Sequence, residues 1–526
     1  MRPLSFKFSF LMFLAAFSFN HTAFCENLLK HYQLPPVQRV PETDAAYNII
    51  QHSLALKRTS KLPVLGEVVN LREFRTKLTT TLEDNIPKWP ETSNILTFTG
   101  SSFSELNQFL ATHQGTDIGI VIKFASPEIV ADTTLAVSSS IFLDGTGVTV
   151  KGRLQAPAIV LDKDTIFSGL RGFEFDNVFW PISIKGAKKI ILTHLTLTQP
   201  TWGITVFSKS RFIGIDQSTI DTPQNTGLLV QGDVTYLRIS NNEITNGMAA
   251  NNGSAAILLT DSTAPKGSPP EAFTNNAALA QPIWPPANVP HQILITQNNL
   301  HHNRAQGIYL DGANGNLIED NTIVMNDKEG MCLDFGSALN LVIDNKVSGN
   351  GNRARQTDED LQIDLVSGFG RLPDGSAVAK LPGISLDNAV YNLIMSNIIK
   401  NNAGDGVKSV RSSHRNYILF NSIIDNNKGH NDRFQFFGVL LGSANAEPQV
   451  AKNPQHSLNF SPSLENVIAG NIIYGAHRAG ILLDRDAAYN DIYDNIVRLY
   501  RVAPLESASQ AFNNIYDNSW NLAPSN

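Results

Sequence analysis

Asn316-Leu-Ile-Glu-Asp-Asn-Thr-Ile-Val-Met-Asn-Asp-Lys-Glu-Gly-Met-Cys-Leu-Asp334 is the stretch whose reading decides the fold. Around Asn321 stand an apolar residue, two variable residues, the Asn, one variable residue and a second apolar residue. The pattern recurs nine times, at Asn242, Asn298, Asn321, Asn345, Asn397, Asn421, Asn471, Asn495 and Asn518. Five of the intervals are 23 or 24 residues, and the others are one or two such periods carrying insertions. A second element precedes most anchors: Gly, then alternating aliphatics, often closing on Asp. It reads Gly307-Ile-Tyr-Leu-Asp311, Gly330-Met-Cys-Leu-Asp334, Gly383-Ile-Ser-Leu-Asp387, Gly406-Val-Lys-Ser-Val410, Gly438-Val-Leu-Leu-Gly442 and Gly480-Ile-Leu-Leu-Asp484.

Each repeat therefore holds three short stretches of period-2 alternation joined by turns, with no room for a helix. Self-similarity at this period marks a solenoid. The spacing predicts an all-β chain, a right-handed parallel β-helix of about 23-residue coils. Between its apolar neighbours the anchor Asn is expected to take the left-handed backbone of a sharp turn and to hydrogen-bond along a stack. A leucine-rich horseshoe shares the period, but Ile and Val outnumber Leu at the anchors.

Working outward, Ser102-Phe-Ser-Glu105 is a capping-box signature opening an amphipathic stretch to His113. A helix there, with Phe103, Leu106 and Phe109 on one face, would cover the open N-terminal end of the solenoid. The β-helix domain is placed at 101–526. Residues 26–100 show no repeat and read as an extension with one helix near 45–57. Residues 1–25 carry Arg2 and Lys7, an apolar run from Phe8 to Phe19 and a small-residue end, which predicts a signal peptide and export, periplasmic or secreted. A lipid anchor on Cys25 is the alternative, disfavoured by Phe24. No later run is apolar enough to span a bilayer. Cys332 is then left without a partner, so no disulfide is expected.

Hydrophobic residues make up 42% and charged residues 17% of the chain, beside 36 Gly, a balance that suits strands and turns. Loss of the first 25 residues leaves 39 basic against 47 acidic side chains, which argues against nucleic acid as a partner.

The coil from Asn316 to Ile323 followed by Gly330 to Asp334 resembles the right-handed β-helix repeats of the pectate-lyase-like superfamily, which includes polysaccharide lyases, polygalacturonases, alginate epimerases and phage tailspikes. The resemblance implies an elongated groove and a polysaccharide partner. The chain departs from the known branches: it has neither the Asp-Pro-His-Asp of alginate epimerases nor the paired-Asp and His-Gly strings of polygalacturonases, so no branch is assigned.

Chemistry is expected on the Gly-led strands. Alternation turns Ile308 and Leu310 inward and leaves Tyr309 and Asp311 outward. The same register stacks Asp311, Asp334 and Asp387, with Lys408 and Arg411 on the next coil. Carboxylates about 5 Å apart must share protons, meet basic groups or bind a cation such as Ca2+. Asp311, Asp334, Asp387, Lys408 and Arg411 are thus the candidate catalytic residues, with the three Asp also candidate metal ligands. Tyr309, His430, Arg433, His477, Arg478, Asp484 and Trp284 are the candidate binding residues, because the insertions flank this same strand. The expected function is a polysaccharide-active enzyme on an acidic glycan, by β-elimination or by hydrolysis. A non-catalytic carbohydrate-binding or surface-structural protein is the competing reading.

Overall fold

A computed structural model describes residues 71–90, 94–113, 119–249, 254–261, 288–351, 381–410, 413–426, 436–442, 463–475, 477–484, 487–509 and 512–520. The signal sequence, the helix expected near 45–57, and Trp284, Arg411, His430 and Arg433 lie outside these residues.

The repeat pattern becomes three lines of parallel strands. The Gly-led strands form one 13-stranded sheet, and the strands on either side of the anchor Asn form the other two lines, joined in a 27-stranded sheet. The winding is right-handed. Between them runs one apolar core of inward side chains, among them Ile308, Leu310, Ile318 and Ile323, all fully buried.

The anchors stack in a single line. Each donates its backbone N–H and its side-chain Nδ2 to the Oδ1 of the Asn one coil on, from Asn242 through to Asn518, at 2.9–3.0 Å. The left-handed backbone falls on the residue before each anchor instead of on the Asn: Asp320, Asp344, Ser396 and Asp494 all have φ near +55°. That residue reverses the chain, and the Asn side chain then satisfies the buried N–H groups the reversal would otherwise strand.

Two further Asn ladders do the same at the other turns. One runs Asn316, Asn340, Asn392, Asn416, Asn466, Asn490, Asn513, and the other Asn303, Asn326, Asn350, Asn402, Asn426. Their signal is a spacing of five on either side of an anchor, as in Asn316, Asn321 and Asn326.

The leading glycines answer a close approach. A Cβ on Gly330 would lie 2.4 Å from a Val347 methyl and 2.8 Å from the Gly383 carbonyl. These glycines face the corner of the coil, so the residue before each of them faces out.

Two helices lie in the N-terminal part of the described chain. The first, α1 (Leu71–Asn85), buries Leu78 and Leu82. The chain divides into two units, 1–77 and 78–526, at a point within it. The second, α2 (Phe103–Thr112), is capped by Ser102, whose hydroxyl accepts from Glu105 N–H, while the Glu105 carboxylate accepts from Ser101 N–H. It buries Phe103, Leu106 and Leu110, and the expected Phe109 lies at the margin, against Phe98 and His113. A helical face takes 103, 106 and 110 together, which leaves 109 at its edge. The coils begin earlier than expected, because Asn94–Phe98 already pairs in parallel with Ile120–Phe124.

Candidate functional site

The site is built on four successive Gly-led strands, Gln306–Asp311, Met331–Asp334, Ile384–Asp387 and Val407–Val410. Their pairing sets Tyr309 opposite Cys332, Cys332 opposite Ser385 and Ser385 opposite Lys408, with Asp311 opposite Asp334. Strand neighbours are about 4.8 Å apart, so these outward side chains form continuous columns.

A third column was missed. The residue before each Gly also faces out, which adds Gln306, Glu329, Pro382 and Asp405 to the same face. The signal for it was the Gly itself: a glycine packed into the corner throws its predecessor to the other side. Gln306 and Glu329 are 6% exposed and Asp405 4%. The Gln306 Oε1 and Glu329 Oε2 atoms are buried and have no hydrogen-bond partner.

Asp311 is half-buried, and its Oδ2 accepts from the Thr260 hydroxyl at 2.8 Å. Burial lifts its carboxyl above the ordinary carboxylate range, with Thr260 opposing and the Asp261 carboxylate adding. Asp334 accepts from the Phe335 N–H at 2.7 Å and from the Tyr309 hydroxyl at 3.3 Å. Burial first, then the carboxylates of Asp334 and Asp311, push the Tyr309 phenol well above its usual value, so it stays protonated and acts as a donor. Asp405 is lifted to about 6 by burial, against the Lys408 charge and the hydrogen bond from Phe437 N–H.

Several expectations are corrected. Tyr309 faces away from the core yet is buried, in a small outer cluster with Leu229, Ala255, Leu258 and Cys332, edged by Trp202, Phe207 and Phe335. Among the described residues no three His, Cys, Asp or Glu side chains are placed to share an ion. Asp311 accepts from Thr260 and Asp334 from Phe335, donors on different neighbours. His477 is not a groove residue; it is 1% exposed and ends one Asn ladder, its Nε2 accepting from the Asn426 N–H at 3.3 Å. Arg478 pairs with Glu506 at 2.9 Å, on a later coil than the Asp residues. Asp484 follows its strand at the line of Gly442, two coils beyond Asp387's neighbour Val410.

A family model described as a right-handed beta helix region matches residues 287–454, within the solenoid. The chain is a right-handed parallel β-helix protein. Among solved structures it is similar to the A-module of an Azotobacter vinelandii mannuronan C-5 epimerase, at 11% identity and TM-score 0.49 over 83% of this chain and 99% of that one. It is similar also to a periplasmic alginate epimerase, at 12% identity and TM-score 0.36 over 81% and 84% of the two chains. The third is the catalytic domain of a GH87 alpha-1,3-glucanase bound to nigerose, at 11% identity and TM-score 0.38 over 82% and 70%. No curated protein matches the chain.

Proposed function

We propose that the protein is an exported enzyme that hydrolyses a polysaccharide in the groove over the Gly-led strands. The observation that carries this is the pair Asp311 and Asp334, carboxylates in register on adjacent strands whose surroundings differ. Asp311 is raised by burial and serves as the acid that protonates the leaving oxygen. Asp334, hydrogen-bonded by the Phe335 N–H and the Tyr309 hydroxyl, serves as the second carboxylate. The raised carboxyl of Asp311 suits it to the acid role, which leaves Asp334 as its partner.

Strand neighbours at about 4.8 Å are close to the separation of roughly 5–5.5 Å at which the second carboxylate attacks the sugar directly and configuration is retained. The partly buried Phe335, which follows Asp334, offers an aromatic face for the apolar side of a sugar ring. Hydrolysis is preferred to β-elimination because two carboxylates stand in register on adjacent strands, the pair that glycoside hydrolysis uses. Lys408, two strands along, is a substrate-binding residue in this scheme, as is Asp387.

The test is a panel of neutral, basic and acidic polysaccharides incubated with the purified protein. New reducing ends without absorbance of unsaturated products support hydrolysis. Unsaturated products would show elimination, and binding without turnover would show a carbohydrate-binding protein.

A further inference from the structure

We propose that Gln306 and Glu329, on adjacent coils, form a binding site for the free amino group of an amino sugar, with Asp405 two coils beyond Glu329 offering a further carboxylate, so that the glycan brings ammonium groups to the groove. This rests on the reading of the groove as a glycan site. The three residues hold equivalent places, each one before the Gly of its strand, on coils whose backbones pair in register. All are more than nine-tenths buried. Buried acceptors are almost always met by a donor, and a buried carboxylate oxygen without one is costly. Yet Gln306 Oε1 and Glu329 Oε2 accept nothing. A ligand that supplies donors together with positive charge satisfies both. A sugar hydroxyl supplies only the donor, and a sugar carboxylate supplies neither.

The charge of the whole face points the same way. The twelve outward positions of the four strands carry five carboxylates, Asp311, Glu329, Asp334, Asp387 and Asp405, against the single lysine Lys408. An acidic polymer, expected from Lys408 and Arg411, would set like charge against like along this face. A polymer with free amines meets opposite charge at each coil, and the coil repeat of about 4.8 Å offers a fresh carboxylate at every step.

Binding of glucosamine oligomers, N-acetylglucosamine oligomers and oligogalacturonate to the whole protein, by calorimetry at pH 6, tests this. The glucosamine oligomers are expected to bind, and Glu329→Gln to weaken them by about tenfold to a hundredfold, the range of a hydrogen bond to a charged group. Gln306→Leu, which removes the neighbouring acceptor without touching the carboxylate, is expected to weaken them by several-fold and serves if Glu329→Gln does not fold. Equal binding of the acetylated oligomers with no effect of either substitution, or binding of oligogalacturonate alone, would overturn the amine site and leave the glycan reading standing. Failure of every glycan in the wider panel to bind would overturn both.

Discussion

Asn397→Ala removes one rung from the middle of the longest Asn ladder, and its cost can be worked bond by bond. Asn397 is fully buried. Its Oδ1 accepts from the backbone N–H of Asn345 at 2.9 Å and from the Asn345 side chain at 3.0 Å. Its Nδ2 donates to the Val342 carbonyl at 2.9 Å, to the Met395 carbonyl at 3.0 Å and to Asn421 Oδ1 at 3.0 Å. Alanine leaves the Asn345 N–H with no acceptor, in a place water does not reach, at about 1–3 kcal/mol. The remaining bonds are lost from groups that keep other partners: the Asn345 side chain still reaches Ile318 and Ile343. Each of those losses costs less, and the sum is about 3–6 kcal/mol. The assay is urea unfolding followed by circular dichroism, beside Lys346→Ala, an exposed neighbour expected to change stability by less than about 0.5 kcal/mol. A loss below about 1 kcal/mol for Asn397→Ala would refute the view that the ladder satisfies the turns.

Three further outcomes follow from the same structure. Ile308→Ala, at a fully buried inward position, should cost about 2–5 kcal/mol in the same assay, and a surface-like effect would mean the strand register is wrong. Burial depresses His477 to about 3, so the unfolded chain takes up a proton first as pH falls below about 6.5; its contribution is complete at neutral pH and shrinks by about 2 kcal/mol by pH 5. His477→Asn keeps the acceptor for Asn426 and should flatten that acid loss, whereas an unchanged pH profile would count against it. Asp405 titrates in the opposite sense: raised from 3.8 to about 6, its contribution is present below pH 3.8 and lost as pH rises through 6. Asp405→Asn, which retains the acceptor for Phe437, should therefore stabilise the protein by about 3 kcal/mol at pH 8 and hardly at all at pH 4.

The solenoid was legible because Asn321 and its equivalents recur at one period between aliphatics, and inward Ile308 and Leu310 obey simple alternation. What alternation misses is the corner. It makes Gly307 an outward position, whereas a glycine packed under the next coil turns inward and sends Gln306 and Glu329 out. The left-handed residue was misplaced by one for a related reason. Asn is the usual suspect for positive φ, but here its side chain is committed to the ladder and Asp320 or Ser396 takes the strained backbone. His477 looked like a loop histidine because nothing local says that an Asn ladder ends there. The Asp columns were found from register alone, while their separate hydrogen bonds, from Thr260 to Asp311 and from Phe335 to Asp334, depend on neighbours that no spacing reveals.

In the proposed reaction Asp311 and Asp334 act together on a glycosidic bond. The most direct measurement follows the anomeric configuration of the first product by proton NMR, on whichever glycan of the panel is cleaved, with the wild type, Asp311→Asn and Asp334→Asn in parallel. Retained configuration is expected in the wild type, and a loss of about a hundredfold or more in turnover for each variant, with both still folded. Turnover that survives both substitutions would contradict it.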